Sequence, residues 1–216
     1  GIADRIYSEI GAVPAGAIAV HVLSDEKELR QKAQAEQGGI PPEWASGLAY
    51  PSRRFIYVHA DGPLDSLVVT LQHEVSHLAL HDLPGGRLAP QWFKEGLAVT
   101  QSEGLAVERV WRLTEAASMD RLIPLSRLAE GFPRSGGRAG LAYAQSVHFV
   151  QYLRQRLGAA GFRKLLAALG THRGNVESAL FETLGVSSAR ISVEWHEHLR
   201  VRWGWLPIIF SETSLW

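Results

Sequence analysis

His73, Glu74 and His77 stand in the order H-E-x-x-H inside a largely apolar stretch, residues 67–80. On an α-helix, side chains four apart lie one above the other, so neutral imidazoles at 73 and 77 can turn their lone pairs to one Zn²⁺ ion. Glu74 projects about 100° round the axis and can reach a water at the ion's open position. The chemistry implied is activation of water by a metal, with a carboxylate as base. The plain alternative is a helix that carries two surface or core histidines. Against it stands the context: Leu67, Val68, Leu71, Val75, Leu78 and Leu80 supply a stripe to bury. Asp65 or Ser66 is placed to cap the start, and Leu83-Pro84-Gly85-Gly86 stops the helix.

A catalytic zinc takes three protein ligands and keeps one position open, so a third donor is required. A continuation with Gly at 80 and His or Asp at 83 is excluded, because Leu80 and Leu83 stand there. His81 extends the i, i+4 series, but three successive steps drift by about 40° each and do not converge on one ion. It reads as a helix-end residue set against the C-terminal dipole. Glu95 remains, 18 residues beyond His77, in a second helix opened by Pro90. The turn at 84–86 lets that helix fold back on the first, and Gly96 and Ala98 are small enough for close approach.

H-E-x-x-H followed by W-F-x-E-G-x-A, residues 92–98, resembles the gluzincins, and within them the peptidase MA-like domains. By position, the resemblance implies that His73, His77 and Glu95 hold one Zn²⁺ ion and that Glu74 is the base. It implies a zinc metallopeptidase, an endopeptidase acting on a peptide or protein substrate. The expected fold is α+β and zincin-like: a small twisted N-terminal sheet over the H-E-x-x-H helix, followed by a mainly helical C-terminal part. The likeness covers about residues 15–200, with sharp motifs only at 73–98. A similar Tyr-containing helix follows the glutamate ligand in this family. Tyr143 is therefore the candidate donor to the tetrahedral oxyanion and His148 the reserve, against a plain reading of Tyr143 as a core aromatic. One departure concerns the residue four beyond the glutamate, Val99, where some gluzincins place an acid that orients a histidine. Asp82, Glu103 or a backbone carbonyl must then orient His73 and His77, or the site is tuned differently.

The elements that position these groups follow from periodicity. Residues 2–12 read as a helix end, 18–23 as a buried strand, and 24–37 as a helix capped by Ser24 or Asp25. Segments 44–50 and 53–60 flank Pro51-Ser52 as a β-hairpin, with 45–50 the candidate edge for an extended substrate. Helices are expected from 105, over 139–157 up to Gly158, and over 161–169, 175–184 and 188–202. The segment 132–138 reads as a connecting loop. His196 and His198 are two apart, on different helix faces, and make poor joint ligands. A single domain over 1–205 results, divided into an α/β part (1–64), zinc-binding helices (65–104) and a helical part (105–205), with an apolar tail at 206–216.

Composition narrows the classes. The chain has 216 residues, 46% hydrophobic, with 22 basic and 22 acidic side chains. That suits a chain with a real core, and with no run of like charge it gives no footprint for nucleic acid. The absence of cysteine removes disulfides, thiolate metal sites and cysteine nucleophiles. No signal peptide pattern occupies residues 1–20, and the start inside a helix reads as a segment trimmed from a longer chain. The Trp-rich end at 203–216 reads either as cover for the core or as a juxtamembrane stretch, so an extracytoplasmic, membrane-anchored setting is expected. The competing functional reading is a catalytically silent zincin-fold binding module that retains zinc. A structural zinc, the third, predicts four protein ligands.

Overall fold

The computed structural model describes residues 1–36, 45–103, 107–133 and 136–203. It is α+β, mostly helical, with one small mixed sheet. The sheet has the order β1-β3-β2, with β1 (Ala19–Leu23) parallel to β3 (Phe55–His59) and β2 (Gly47–Tyr50) antiparallel to it. The hairpin at Pro51-Ser52 is therefore present, closed by a 3₁₀ turn and by Arg54 at φ 62°. One expectation fails here. β1 is an exposed edge, with Val20 43% and Val22 61% exposed, and only Leu23 is buried. Its β-branched residues serve pairing with β3, and a short apolar run cannot by itself distinguish that role from a buried strand. Helix α2 (Glu26–Ala35) begins as expected, with the Asp25 carboxylate accepting from the Glu28 N–H.

Helix α3 (Leu64–Asp82) lies under this sheet and buries Val75, Leu78, Ala79 and Leu80. Its start differs from the expected cap: Pro63 is the N-cap residue with no side-chain bond, and Asp65 sits inside the first turn as an acid favourable to the dipole. Beyond α3 the chain turns through Gly85, at φ 75°. A Cβ on Gly85 would lie 2.0 Å from the Leu169 carbonyl oxygen, and one on Gly86 would lie 1.8 Å from that of Leu80. Only glycine makes this turn. Helix α4 (Gln91–Ser102) then packs back on α3. Ser76 Oγ donates to Gln101 Oε1 at 2.7 Å, and Gln101 Nε2 donates to the Ile6 carbonyl at 3.2 Å. This buried chain of bonds ties α3 and α4 to α1 (Ile2–Ile10).

Gly96 provides a close approach, but to another helix than expected. A Cβ there would stand 2.4 Å from the Ser146 carbonyl oxygen, on α7 (Gly136–Thr171). α7 begins three residues before its expected start and breaks at Gly158 (φ 67°), the predicted end of its first half. Residues 134 and 135 of the expected loop, and the apolar tail at 206–216, lie outside the described residues. α5 (Val107–Ser118), α6 (Leu125–Glu130), α8 (Val176–Leu184) and α9 (Ser188–Trp203) complete the helical part. One core cluster runs from Ile6 and Ile56 through Phe93, Phe149 and Leu165 to Trp195. Among the described residues no helix is long and apolar enough to cross a membrane.

Candidate metal centre and cleft

The i, i+4 spacing on α3 brings His73 Nε2 and His77 Nε2 to 3.1 Å. From α4, Glu95 Oε2 lies 3.4 Å from His73 Nε2, and Glu95 Oε1 lies 3.7 Å from His77 Nε2. The α4 carboxylate is 8% exposed and turned inward. It is held by Gln91, one turn earlier, whose Nε2 donates to Oε1 at 2.8 Å, and by the Tyr143 hydroxyl. Four-coordinate zinc with bonds of about 2.0–2.1 Å separates its ligands by about 3.3 Å. Two imidazole nitrogens and one carboxylate at these spacings fit such an ion. Among the described residues this donor group has three members and no fourth acid or imidazole.

Electrostatics divide the two histidines. Burial pushes His77 down to about 4, so its ring is neutral and its lone pair free. Burial also acts against His73, but the neighbouring charges of Glu95, Glu74 and Glu103 outweigh it and raise its pKa. Burial works to raise Glu95, yet His77, His73 and Tyr143 hold it below the usual carboxylate range. The raised His73 and lowered Glu95 favour opposite charges side by side, and a divalent cation held between them would take the place of that pairing.

Glu74 is 7% exposed and lies between α3 and the sheet edge. Burial drives its pKa to about 7, with the Glu95 charge in the same direction and His73 and the Ala49 N–H opposing. The Ala49 N–H is available because strand residues alternate: Ser46 turns its carbonyl to His59 N on β3, so Gly47 and Ala49 turn their backbone groups outward. Gly47 gives Glu74 its room. A Cβ at 47 would lie 2.7 Å from Thr70 Cγ2 and 3.0 Å from Glu74 Cγ. Neither Gly47, Ala49 nor Gln91 was anticipated. Gln91 is signalled only by its i, i+4 spacing to Glu95, and nothing in the sequence marks the other two.

Tyr143, on α7, reaches the same centre. Its ring packs edge-on against Phe132, and burial together with Glu95 raises its hydroxyl pKa, keeping it a protonated donor. His148 does not reach the cleft. It is buried, its Nδ1 accepts from Trp195 Nε1 at 2.9 Å, and burial lowers its pKa to about 4. His81 lies at the end of α3 beside Ser52 Oγ, at 3.3 Å. Of the proposed orienting acids, Asp82 is committed elsewhere, accepting from Tyr7 at 2.7 Å, Ala15 at 3.2 Å and Arg54 at 2.6 Å. Glu103 pairs with Arg109 at 2.8 Å and acts on His73 through its charge.

The centre opens into a cleft that follows β2. At the Ala45–Gly47 end a cavity of about 690 Å³ is walled by Val69, Thr70, Arg109, Arg112 and the glycine-rich start of α7. At the Ala49–Ser52 end a second, of about 440 Å³, is walled by His81, Arg87, Gln91 and Lys94. His73, Glu74 and Tyr143 border both. A family model described as the Peptidase MA superfamily matches residues 4–201. No curated protein and no solved structure matches the chain significantly.

Proposed function

Because the chain belongs to the peptidase MA superfamily, we propose that it is a zinc-dependent metallopeptidase of the gluzincin type, with His73, His77 and Glu95 as ligands of one ion. The observation that carries the proposal is the gathering of two imidazole nitrogens and one buried carboxylate around a single point, with a second buried carboxylate beside it. When bound, the ion supplies Lewis acidity, lowering the pKa of water and polarising a carbonyl.

The chain's residues do the rest. Glu74 takes a proton from the attacking water and carries it to the departing amine, a task suited to a carboxyl whose pKa lies near neutrality. Tyr143 donates its hydroxyl to the oxyanion once Glu95 is engaged elsewhere. Gln91 keeps Glu95 aimed inward. The outward backbone of β2 offers an edge on which an extended chain can lie. Space at both ends of that edge accommodates substrate on either side of the cleaved bond, which favours an endopeptidase.

The test is a zinc-loaded protein incubated with a mixed peptide library, alongside Glu74→Gln. We expect the variant to retain about one zinc per chain and to lose hydrolysis by at least a hundredfold, the reach of a general base. A wild type that holds zinc and cleaves nothing would overturn the peptidase reading and favour a binding module.

A further inference from the structure

The two ends of the cleft differ in how their cations are used. At the Ala45–Gly47 end, Arg109 pairs with Glu103 at 2.8 Å and the Arg112 guanidinium packs over Gly140. At the Ala49–Ser52 end stand Arg87 and Lys94, and neither makes a hydrogen bond or ion pair with any described residue. Lys94 is half-buried, directly before Glu95 in the chain. Glu95 itself is committed to His73, His77, Gln91 and Tyr143. The remaining acid on this wall, Glu74, is bound to Ala49 N–H and faces the centre.

Two cations that line one cavity without a partner among the described residues, Lys94 half-buried and Arg87 exposed, offer charge-assisted contacts to an anion that enters it. Resting on the peptidase reading, we infer that the Arg87–Lys94 wall is a carboxylate-binding subsite and that the preferred substrates carry a carboxylate at that end of the cleft. The carboxylate comes from an Asp or Glu side chain or from the chain terminus. Lys94 acts as a point charge from α4, while Arg87, in the turn before it, offers a planar fork of donors. A peptide lying along β2 would reach both cations through the cavity that they line with Leu48, Ala49 and Ser52.

The experiment measures binding and cleavage separately. Fluorescent peptides differing only by Asp→Asn at each position in turn, with free or amidated C-termini, are titrated against zinc-loaded Glu74→Gln and digested by the active protein. One acidic position should improve binding about tenfold, the size expected of a charge-assisted contact. In Arg87→Gln that preference shrinks, and in Arg87→Glu it turns towards Lys or Arg at the same position, with zinc content unchanged. Lys94→Gln should act in the same direction, with zinc content again the control because Glu95 is adjacent. If amidation rather than Asp→Asn abolishes the preference, the terminus is the source. Peptides that bind and are cleaved with no acidic preference, or a preference insensitive to Arg87, would overturn the subsite while leaving the peptidase reading intact. Binding that follows the acid and Arg87 without any cleavage by the wild type would sustain the subsite and overturn the peptidase reading.

Discussion

Three of the four groups at the centre were legible because their spacing is itself chemistry: His73 and His77 share a helix face, and Glu74 is the neighbour that can reach between. Glu95 required a second motif, since a carboxylate on an amphipathic helix carries no mark of burial, yet it is 8% exposed and turned to the histidines. Gly47 was not legible at all. Its significance lies in an atom it lacks, and only the packing of β2 on α3 reveals what that atom would strike. Gly47→Ala should leave zinc content unchanged, because the atoms a Cβ there meets first belong to Thr70 and Glu74, but displace the Glu74 carboxylate from its Ala49 contact. We expect kcat to fall about ten- to a hundredfold with a smaller change in KM, measured by steady-state hydrolysis of a single peptide; an unchanged kcat would show that Glu74 tolerates the intrusion.

The helices were read well and the sheet less so, for a physical reason. A 3.6-residue period accumulates over many turns, and α3, α4 and the first half of α7 each carry it far enough to fix their extent within a few residues. A five-residue strand offers two or three alternations, so β1 could be identified but its exposure could not. Contacts between helices were the least legible: Gly96 was expected to face α3 and instead meets α7. Its replacement therefore probes how the ligand-bearing helix is mounted. In Gly96→Ala the new methyl group overlaps the Ser146 carbonyl, and α4 must shift away from α7. Stability should drop by about 1–3 kcal/mol, read from urea unfolding of the metal-free protein, and zinc affinity should weaken because Glu95 is the preceding residue. Unaltered stability would mean the two helices separate freely.

For the molecule as a whole, α9 closes the core through Trp195, whose indole N–H donates to His148 in the middle of α7. That bond needs a neutral imidazole. The unfolded chain takes up a proton at His148 near pH 6.5, the folded chain only near 4, so folding excludes that proton between those values. This contribution is fully present above 6.5 and is lost as pH falls from 6.5 towards 4, amounting to as much as ~3 kcal/mol. Urea midpoints between pH 7 and 4.5 should decline more steeply for the wild type than for His148→Gln, which keeps an acceptor for Trp195 but does not titrate; parallel declines would remove His148 from the account. The sequence marked His148 as a reserve for the cleft because it shares a helix with Tyr143, and five residues along a helix turn a side chain well away from its neighbour's face.

The Ala49 N–H held by Glu74 has one more consequence. A guest strand laid against β2 meets a ladder with a missing rung: Gly47 can give and receive, Ala49 can only receive. Any alignment that sets a guest carbonyl opposite Ala49 N–H strands that oxygen or competes with the Glu74 carboxylate. The alignment that loses least turns the guest's carbonyl away from the strand at that point and towards the centre. On the proposed peptidase reading the sheet would then help to choose which bond is cut, and replacing single guest amides by esters or N-methyl amides would trace that alignment position by position.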